Sequence, residues 1–300
     1  DGSIRIWPFS PGKDLSKPSL AFKASNKPVR HLSFTPDKQF LISCDDLGAI
    51  IFWDWREQNF SKPTSTFYHT KNLRCHKVIF AQNGTTMASS GWTQTPKLWQ
   101  YTGNAQLIEM PEFSKANSHK DVIRDICFLS NDQLVSVSKD RQMIIWNLKT
   151  GTKFKSSLHK DDIFAVAYLP SLKLLASSSK DKKIILSSPY TKFPEKTINV
   201  HNDTINSLCA FQSQPKLLAV SADHNGSIHT VTAQQSSSSR IQKDYLFQGL
   251  KAHTIASGSN HIYVLDEEGL IHHITPDGTM SADPLDIGLT LYRKDVISFK

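Results

Sequence analysis

Cysteine side chains are the first candidates for chemistry in this chain, because thiolates bind zinc and act as nucleophiles. The four cysteines lie far apart, with no Cys-x-x-Cys pair and no His/Cys spacing suited to zinc. Each lies within a strand-like apolar run, which is typical of a small buried hydrophobic side chain. Free, scattered cysteines also indicate a reducing compartment. We therefore expect a cytoplasmic or other intracellular protein, in which no metal or catalytic role falls to Cys44, Cys75, Cys127 and Cys209.

The histidine and acidic clusters are equally unsuited to metal chemistry. His272 and His273 are adjacent on a strand-like run, so their side chains point to opposite faces and cannot chelate one ion. The run Asp266-Glu267-Glu268 resembles a turn more than a calcium loop, which needs further spaced oxygen ligands. The motifs of phosphate-binding loops, nucleophile elbows and zinc proteases do not occur. We expect no metal, no cofactor and no enzymatic activity.

Composition restricts the class of protein further. The 300 residues are 39% hydrophobic and 21% charged, which is too apolar for a disordered chain, and no apolar run reaches the roughly 18 residues of a transmembrane helix. Lysine and arginine outnumber aspartate and glutamate by 35 to 27, a net charge of +8 that favours acidic partners without identifying one. The first residue is not methionine, and we expect one domain, residues 1–300, taken from a longer protein.

Tryptophans reveal an internal repeat. Trp7, Trp53, Trp99 and Trp146 are separated by 46, 46 and 47 residues, and each closes a short apolar run. The same position recurs without tryptophan in three further copies, at Ser187, Val231 and Ile274. Within a copy, turn residues separate four short runs rich in β-branched and aromatic residues, and hardly any stretch shows a helical period. Four strands repeated seven times predict an all-β fold, a seven-bladed β-propeller of four-stranded antiparallel blades.

The two ends of the chain are predicted to complete one blade. Residues 3–7 read as a third strand, whereas residues 289–292 and 296–299 read as strands at the other terminus. Completing one blade with strands from both termini removes the open sheet edge that would otherwise promote aggregation. The alternative is that sequence upstream of residue 1 supplies the missing strands. We favour closure by both termini.

Four residues recurring at set places in these copies resemble the WD-repeat family. The family pattern is a histidine that leads the repeat, a serine in the second strand, an aspartate in the following turn and a tryptophan six residues later. The fullest match is His119, Ser136, Asp140 and Trp146. Three of the four positions are matched by His159, Ser177 and Asp181, with Ser187 replacing the tryptophan. Weaker matches extend over nearly the whole chain, and the copy around residues 266–269 is degenerate.

The resemblance implies that these sets are structural tetrads rather than catalytic dyads. A buried imidazole held between a turn carboxylate and a strand hydroxyl satisfies polar groups that would each cost about 1–3 kcal/mol if left unpaired. The indole N–H completes the chain of hydrogen bonds and adds apolar area. We expect the histidines and aspartates of both sets to stabilise the fold.

The resemblance also implies a rigid platform that binds other proteins and is seldom an enzyme. It places the residues that flank the first apolar position of each repeat on the face around the central channel. The predicted partner-binding residues are Arg30, Arg74, His76, Arg124, Asp162, Phe164 and Asn206. Arginine forks match carboxylate and phosphate groups, so the arginines predict an acidic or phosphorylated peptide, with Phe164 as an aromatic anchor. The alternative is that each arginine is solvated or paired with a neighbour such as Asp125.

A second basic zone supports a different partner. Residues 149–196 contain ten lysines and four acidic residues, and such a zone attracts an anionic membrane or a nucleic-acid backbone. The alternative is that these lysines cover and solubilise edge strands. The main hypothesis is a scaffold that binds an acidic or phosphorylated peptide, and the second is a scaffold that associates with nucleic acid or anionic lipid. We expect the domain itself to be monomeric. The lysines are Lys149, Lys153, Lys155, Lys160, Lys173, Lys180, Lys182, Lys183, Lys192 and Lys196.

Overall fold

The computed structural model describes most of the chain up to residue 213 and strand segments beyond it. The described residues are 2–6, 18–56, 60–170, 172–199, 201–213, 216–223, 228–233, 241–247, 252–257, 262–266, 270–274 and 285–286. Side chains are described up to residue 208 and beyond that only at 255, 263–266 and 270–273. All regular structure in these residues is β-strand.

Six sheets share one design: four antiparallel strands paired in the order in which they occur along the chain. Before them, β1 (Ser3–Ile6) pairs with β2 (Leu20–Lys23). The first three sheets are β3 (Val29–Phe34), β4 (Phe40–Asp45), β5 (Ala49–Asp54), β6 (Ser65–Tyr68); β7 (Cys75–Phe80), β8 (Thr86–Gly91), β9 (Lys97–Tyr101), β10 (Leu107–Glu109); and β11 (Ile123–Ser130), β12 (Gln133–Ser138), β13 (Met143–Asn147), β14 (Lys153–Ser156).

The later sheets repeat the same order of strands. They are β15 (Ile163–Leu169), β16 (Leu174–Ser179), β17 (Ile184–Ser187), β18 (Lys196–Ile198); β19 (Ile205–Ser213), β20 (Lys216–Asp223), β21 (Ile228–Ala233), β22 (Ile241–Phe247); and β23 (Ala252–Ser257), β24 (Ile262–Asp266), β25 (Leu270–Ile274), β26 (Leu285–Asp286). The predicted all-β repeat of four short strands is therefore confirmed.

The middle strands are apolar on both faces because each sheet packs between two neighbours. Every residue of β4 and β8 is buried, whereas the outermost strand β6 alternates between half-buried and exposed residues. Each hydrophobic core lies between consecutive sheets: Phe40 and Phe52 pack with Met87 and Trp99 of the next sheet. The first strands of successive sheets also contact one another. Sheets stacked face to face around neighbouring first strands are the arrangement of a propeller.

Blade number and closure stay predictions. Trp7 and the segments 289–292 and 296–299, which are predicted to complete the blade of residues 3–7, lie outside the described residues. The part of that predicted blade that the structure describes is the β1–β2 pair.

Candidate functional site

A β-bulge sits at the second residue of the first strand in each of the six four-stranded sheets. In β3 the pairing passes from Val29↔Asp45 to His31↔Cys44, so Arg30 is left out of the ladder. A bulge re-aims the side chain of its extra residue, and bulges concentrate near functional sites. The same shift occurs in the other first strands, where the residues left out are His76, Arg124, Phe164, Asn206 and His253. The structure thus gives five predicted site residues one equivalent position, and His253 shares it without having been predicted.

The other two predicted residues, Arg74 and Asp162, each precede a bulge by two positions. The carbonyl of Arg74 accepts a hydrogen bond from the Trp92 amide at 2.9 Å, and that of Asp162 accepts one from the Lys180 amide at 2.9 Å. The same contact ties Asp46 to Pro28 and Lys139 to Val122, at 3.2 Å each. The turns that follow the second strands therefore lie beside the bulges, at one end of the sheets. This arrangement adds Asp46 and Trp92 to the site, and neither was predicted.

Asp46 joins two of the predicted arginines. Its carboxylate oxygens accept hydrogen bonds from Arg30 Nε and Nη2, both at 2.6 Å. Arg74 Nε lies 2.6 Å from Oδ1, and its Nη2 donates to Oδ2 at 3.2 Å. Burial raises the pKa of Asp46, but hydrogen bonds and charge from Arg30 and then Arg74 outweigh it, so the pKa is lowered. One ionised carboxylate is thus held by two bidentate guanidinium groups.

Arg124 forms a looser contact in the next sheets. Its Nη2 lies 3.6 Å from Asp162 Oδ2, and its guanidinium lies 5.2 Å from the centre of the Phe164 ring. Arg74 stacks in the same way on Trp92 at 5.0 Å, and Trp92 is 47% exposed. Each guanidinium therefore has an aromatic ring on one side, which restricts its orientation.

Asp125, the neighbour considered for the arginines, forms an ion pair with Lys77 instead. Its Oδ1 accepts from Lys77 Nζ at 2.6 Å, and its Oδ2 accepts from the Val166 amide at 2.9 Å. This pair connects three first strands, β7, β11 and β15. The carboxylates that lie beside the arginines are those of Asp46 and Asp162.

His76 lies among the three arginines. Burial and then the charges of Arg124, Arg74 and Arg30 lower its pKa to about 4, with Asp46 acting in the opposite direction. The ring is therefore neutral at pH 7. Its Nε2 is buried and has no hydrogen-bond partner among the described residues, and the same is true of Arg124 Nε. Buried polar atoms without partners are rare in native proteins.

We call this surface the arginine face. It consists of Arg30, Asp46, Arg74, His76, Trp92, Arg124, Asp162 and Phe164. Asn206 continues it at the start of β19, where its side chain is exposed. Such a surface can bind an anion through guanidinium N–H groups and an apolar group through the two rings.

The predicted tetrad around His119 forms one chain of hydrogen bonds. Burial raises the pKa of Asp140, but hydrogen bonds from His119 and from two backbone amides outweigh it, so the pKa is lowered and the carboxylate only accepts. His119 Nδ1 therefore donates to Asp140 at 3.0 Å, and its Nε2 accepts the Ser136 hydroxyl at 2.7 Å. Trp146 Nε1 donates to the same hydroxyl at 2.8 Å.

The second predicted set repeats this geometry without the indole. His159 Nδ1 lies 3.0 Å from Asp181 Oδ2, and its Nε2 lies 2.8 Å from Ser177 Oγ. Ser187, in the position of the tryptophan, is buried, and its hydroxyl lacks a hydrogen-bond partner in the described part of the chain. The imidazoles of both sets are buried.

Two related networks were not predicted. His69 Nδ1 lies 2.9 Å from Ser89 Oγ, and Trp99 Nε1 donates to that oxygen at 2.8 Å, but the place of the aspartate is taken by Thr93. In the preceding sheet Trp53 donates to Ser43 at 2.9 Å, and the Ser25 hydroxyl replaces the imidazole by donating to Asp45 at 2.5 Å. The available signal was a serine ten residues before each tryptophan.

The ten lysines do not share one face. Lys153 Nζ donates to the carbonyls of Ser114 and Ala116, and Lys155 Nζ donates to that of Ser118 at 3.0 Å. These two lysines hold the 114–118 loop. Lys180 and Lys182 follow β16, at the end of the sheets that carries the arginine face, whereas Lys173 precedes β16 at the opposite end.

Other chemistry is scarce in the residues described. Cys44, Cys75 and Cys127 are free thiols, and burial raises the pKa of Cys127 to about 12, while the side chain of Cys209 lies outside the described residues. No group of three or more histidine, cysteine or acidic side chains in the described ranges could hold a metal ion. Among the same residues there is no helix long and apolar enough to span a membrane.

Comparison with known proteins relates these repeats to a family. The family model described as "WD domain, G-beta repeat" matches residues 16–54, 112–147 and 152–186, and the last two segments contain the His119 and His159 sets. Protein HIR1 of Candida albicans is 25% identical over 195 residues, covering 64% of this chain and 18% of the relative.

In two further relatives the matched segment covers a larger share of the relative's own length. DDB1- and CUL4-associated factor 13 of Dictyostelium discoideum is 26% identical over 168 residues, which cover 54% of this chain and 36% of that protein. The guanine nucleotide-binding protein subunit beta of Zea mays is 24% identical over 197 residues, which cover 61% and 50%. The chain spans about a fifth of the length of the HIR1 proteins that it matches. Residues 16–54, 112–147 and 152–186 therefore match WD repeats, and the chain is similar to the relatives named above.

Proposed function

We propose that the chain is a non-enzymatic scaffold whose arginine face binds an acidic or phosphorylated segment of a partner protein. The observation that carries this proposal is the binding of the Asp46 carboxylate by both Arg30 and Arg74. Two guanidinium groups from neighbouring first strands already hold one carboxylate by four contacts of 2.6–3.2 Å. A geometry that holds an internal carboxylate suits a carboxylate or phosphate supplied from outside.

The net charge of the arginine face favours the binding of an anion. Three arginines face two aspartates, and His76 is neutral at pH 7, so the arginine face has a net charge of about +1. A ligand oxygen could also satisfy the buried His76 Nε2 and Arg124 Nε, which lack partners within the described residues. Leaving such a group unpaired costs about 1–3 kcal/mol, and this cost favours a ligand that supplies an acceptor.

The aromatic rings define the second requirement of the ligand. Trp92 and Phe164 each stack on an arginine, and Trp92 is about half exposed. Tryptophan, tyrosine and arginine dominate the residues that contribute most to protein interfaces. We infer that the bound segment carries an acidic or phosphorylated residue next to an apolar one.

Two further observations support a protein as the partner. The name of the Dictyostelium relative describes a factor associated with DDB1 and CUL4. The alternative, nucleic-acid binding by the whole lysine-rich segment, has less support because Lys153 and Lys155 are used to hold a loop of the chain itself.

The test is fluorescence anisotropy with labelled peptides that place glutamate or phosphoserine next to leucine. The double substitution Arg30→Ala and Arg124→Ala should weaken binding roughly tenfold or more, since it removes two of the three forks. Lysine at both positions keeps the positive charge but cannot form the bidentate contact of a guanidinium group, so an intermediate affinity is expected. Arg56→Ala, an exposed arginine just after β5, is the matched control. Equal affinities of the double alanine variant and the parent would refute the arginine face as the binding site.

A further inference from the structure

The loop between β17 and β18, residues 188–195, exposes two aromatic side chains. Phe193 is 78% exposed and Tyr190 is 57% exposed, and Phe193 is the most exposed large hydrophobic side chain in the described part of the chain. Single exposed apolar residues are ordinary on protein surfaces. Two aromatic rings within four residues of one loop are a more specific feature.

The loop has a defined shape rather than an extended one. The Thr191 hydroxyl donates to the Ser188 carbonyl at 3.3 Å and to the Phe193 carbonyl at 3.1 Å. The Glu195 amide donates to the Leu186 carbonyl at 2.9 Å and so closes the base of the loop. Pro189 and Pro194 restrict the backbone further. The Tyr190 ring meets Phe154 edge-on at 6.3 Å, so the tyrosine is anchored on the neighbouring sheet while Phe193 projects.

Lysines lie within and beside this aromatic loop. Lys192 lies between Tyr190 and Phe193 in the sequence and Lys196 begins β18, whereas Glu195 is the acidic residue of the loop. The pairing Leu175↔Ser187 places the turn before β16, with the exposed Lys173, beside the start of the loop. Three lysines against one glutamate leave a local charge of about +2.

We propose that this loop docks the protein on an anionic lipid membrane, with Phe193 and Tyr190 entering the interface between headgroups and acyl chains. Aromatic side chains favour that interface, and lysines beside them contribute attraction to anionic headgroups. Phe193 is exposed and the loop is held by its own hydrogen bonds, so its tip can enter a soft interface without a complementary pocket. Each lysine held near an anionic surface increases partitioning about fivefold, which complements the modest apolar area.

This site is separate from the arginine face. β15 and β17 run in the same direction, because each pairs antiparallel with β16. The bulge at Phe164 lies at the start of β15, whereas the aromatic loop follows the end of β17. The two surfaces therefore lie at opposite ends of the same sheet, and a membrane-bound chain keeps its arginine face open to a partner.

The test is co-sedimentation of the purified chain with vesicles of phosphatidylcholine alone or mixed with phosphatidylserine. We expect binding to the mixed vesicles at low ionic strength and little binding to phosphatidylcholine. The double substitution Tyr190→Ser and Phe193→Ser should weaken binding about tenfold, and Lys192→Glu should weaken it about as much. Phe193→Trp should retain binding, since tryptophan also favours the interface.

Ile108→Ser provides the matched control, because Ile108 is a 59% exposed apolar residue on another sheet. Thermal unfolding of each variant checks that the loop changes leave the fold intact. The proposal is overturned if the parent does not sediment with the mixed vesicles. It is also overturned if the double serine variant sediments as well as the parent, since that result would point to lysine-driven binding of any polyanion or to a protein partner.

Discussion

At the scale of single residues, Asp46 is the group on which the arginine face depends. It lies in a turn next to the bulge at Arg30, and it keeps two guanidinium groups close together that would otherwise repel each other. Ion pairs of this kind lose much of their value when one partner is removed, because the remaining charge stays partly buried. The arrangement of the arginines should therefore fail when the carboxylate is neutralised.

Asp46→Asn should lower the free energy of unfolding by about 1–3 kcal/mol at pH 7. The arginines lower the pKa of Asp46 in the folded chain, so its stabilising effect is present above the unfolded value of 3.8 and is lost as the pH falls through the folded pKa. The difference between parent and variant should therefore shrink below about pH 4. Urea unfolding at pH 7 and at pH 3 measures it. A difference that is the same at both pH values would show that the carboxylate charge is not what stabilises the turn.

At the scale of elements, the tetrads tie the turn after a second strand to the residue that leads the sheet. In the β11–β14 sheet, Asp140 accepts from His119 and from the Lys120 amide at 2.8 Å, so one carboxylate secures both the imidazole and the backbone before β11. The His119 imidazole and the Asp140 carboxylate are buried, which makes the contact between them costly to lose.

Asp140→Ala should cost about 1–3 kcal/mol of stability, because it removes the acceptor of the His119 Nδ1 proton and of the Lys120 and Gln142 amides. Asp132→Ala is the control, since the Asp132 side chain is 46% exposed and pairs with the exposed Lys149 at 2.7 Å, a contact worth about 0–1 kcal/mol. Equilibrium unfolding in urea compares the two variants. If Asp140→Ala is as stable as Asp132→Ala, the tetrad does not support the fold as proposed.

Much of this architecture could be predicted from strand periodicity. The hydrogen-bond and ion-pair partners of individual side chains could not. The runs that end at Trp53, Trp99 and Trp146 are strands, because short apolar runs flanked by turn residues favour β-strands. The partner of Arg30 could not be read in the same way. Its pairing with Asp46 depends on a one-residue bulge that changes which side chains meet across β3 and β4. For the same reason Asp125 appeared available to the arginines, although the fold pairs it with Lys77.

At the scale of the whole molecule, buried histidines should govern how stability depends on pH. Burial, and to a smaller extent the charge of a neighbouring lysine, lowers the pKa of His31 and of His69 to about 3; the lysines are Lys77 and Lys97 respectively. Burial and the three arginines lower that of His76 to about 4. Unfolded, each imidazole takes up a proton near pH 6.5, whereas the folded chain keeps all three neutral. Protons therefore bind preferentially to the unfolded chain between about pH 6.5 and pH 4.

Stability should accordingly fall as the pH is lowered from 7 to 4, with each histidine contributing at most about 1.4 kcal/mol per pH unit. The carboxylates with lowered pKa values, Asp46, Asp140 and Asp181, act in a different window, because their contribution is lost only below the unfolded value of 3.8. Urea unfolding at half-unit steps of pH separates the two windows. His69→Gln should make the free energy of unfolding depend less steeply on pH between about 6.5 and 4. Its decrease below pH 3.8 should stay unchanged. A free energy of unfolding that stays constant from pH 7 to pH 5 would mean that these imidazoles can be protonated without opening the sheets around them.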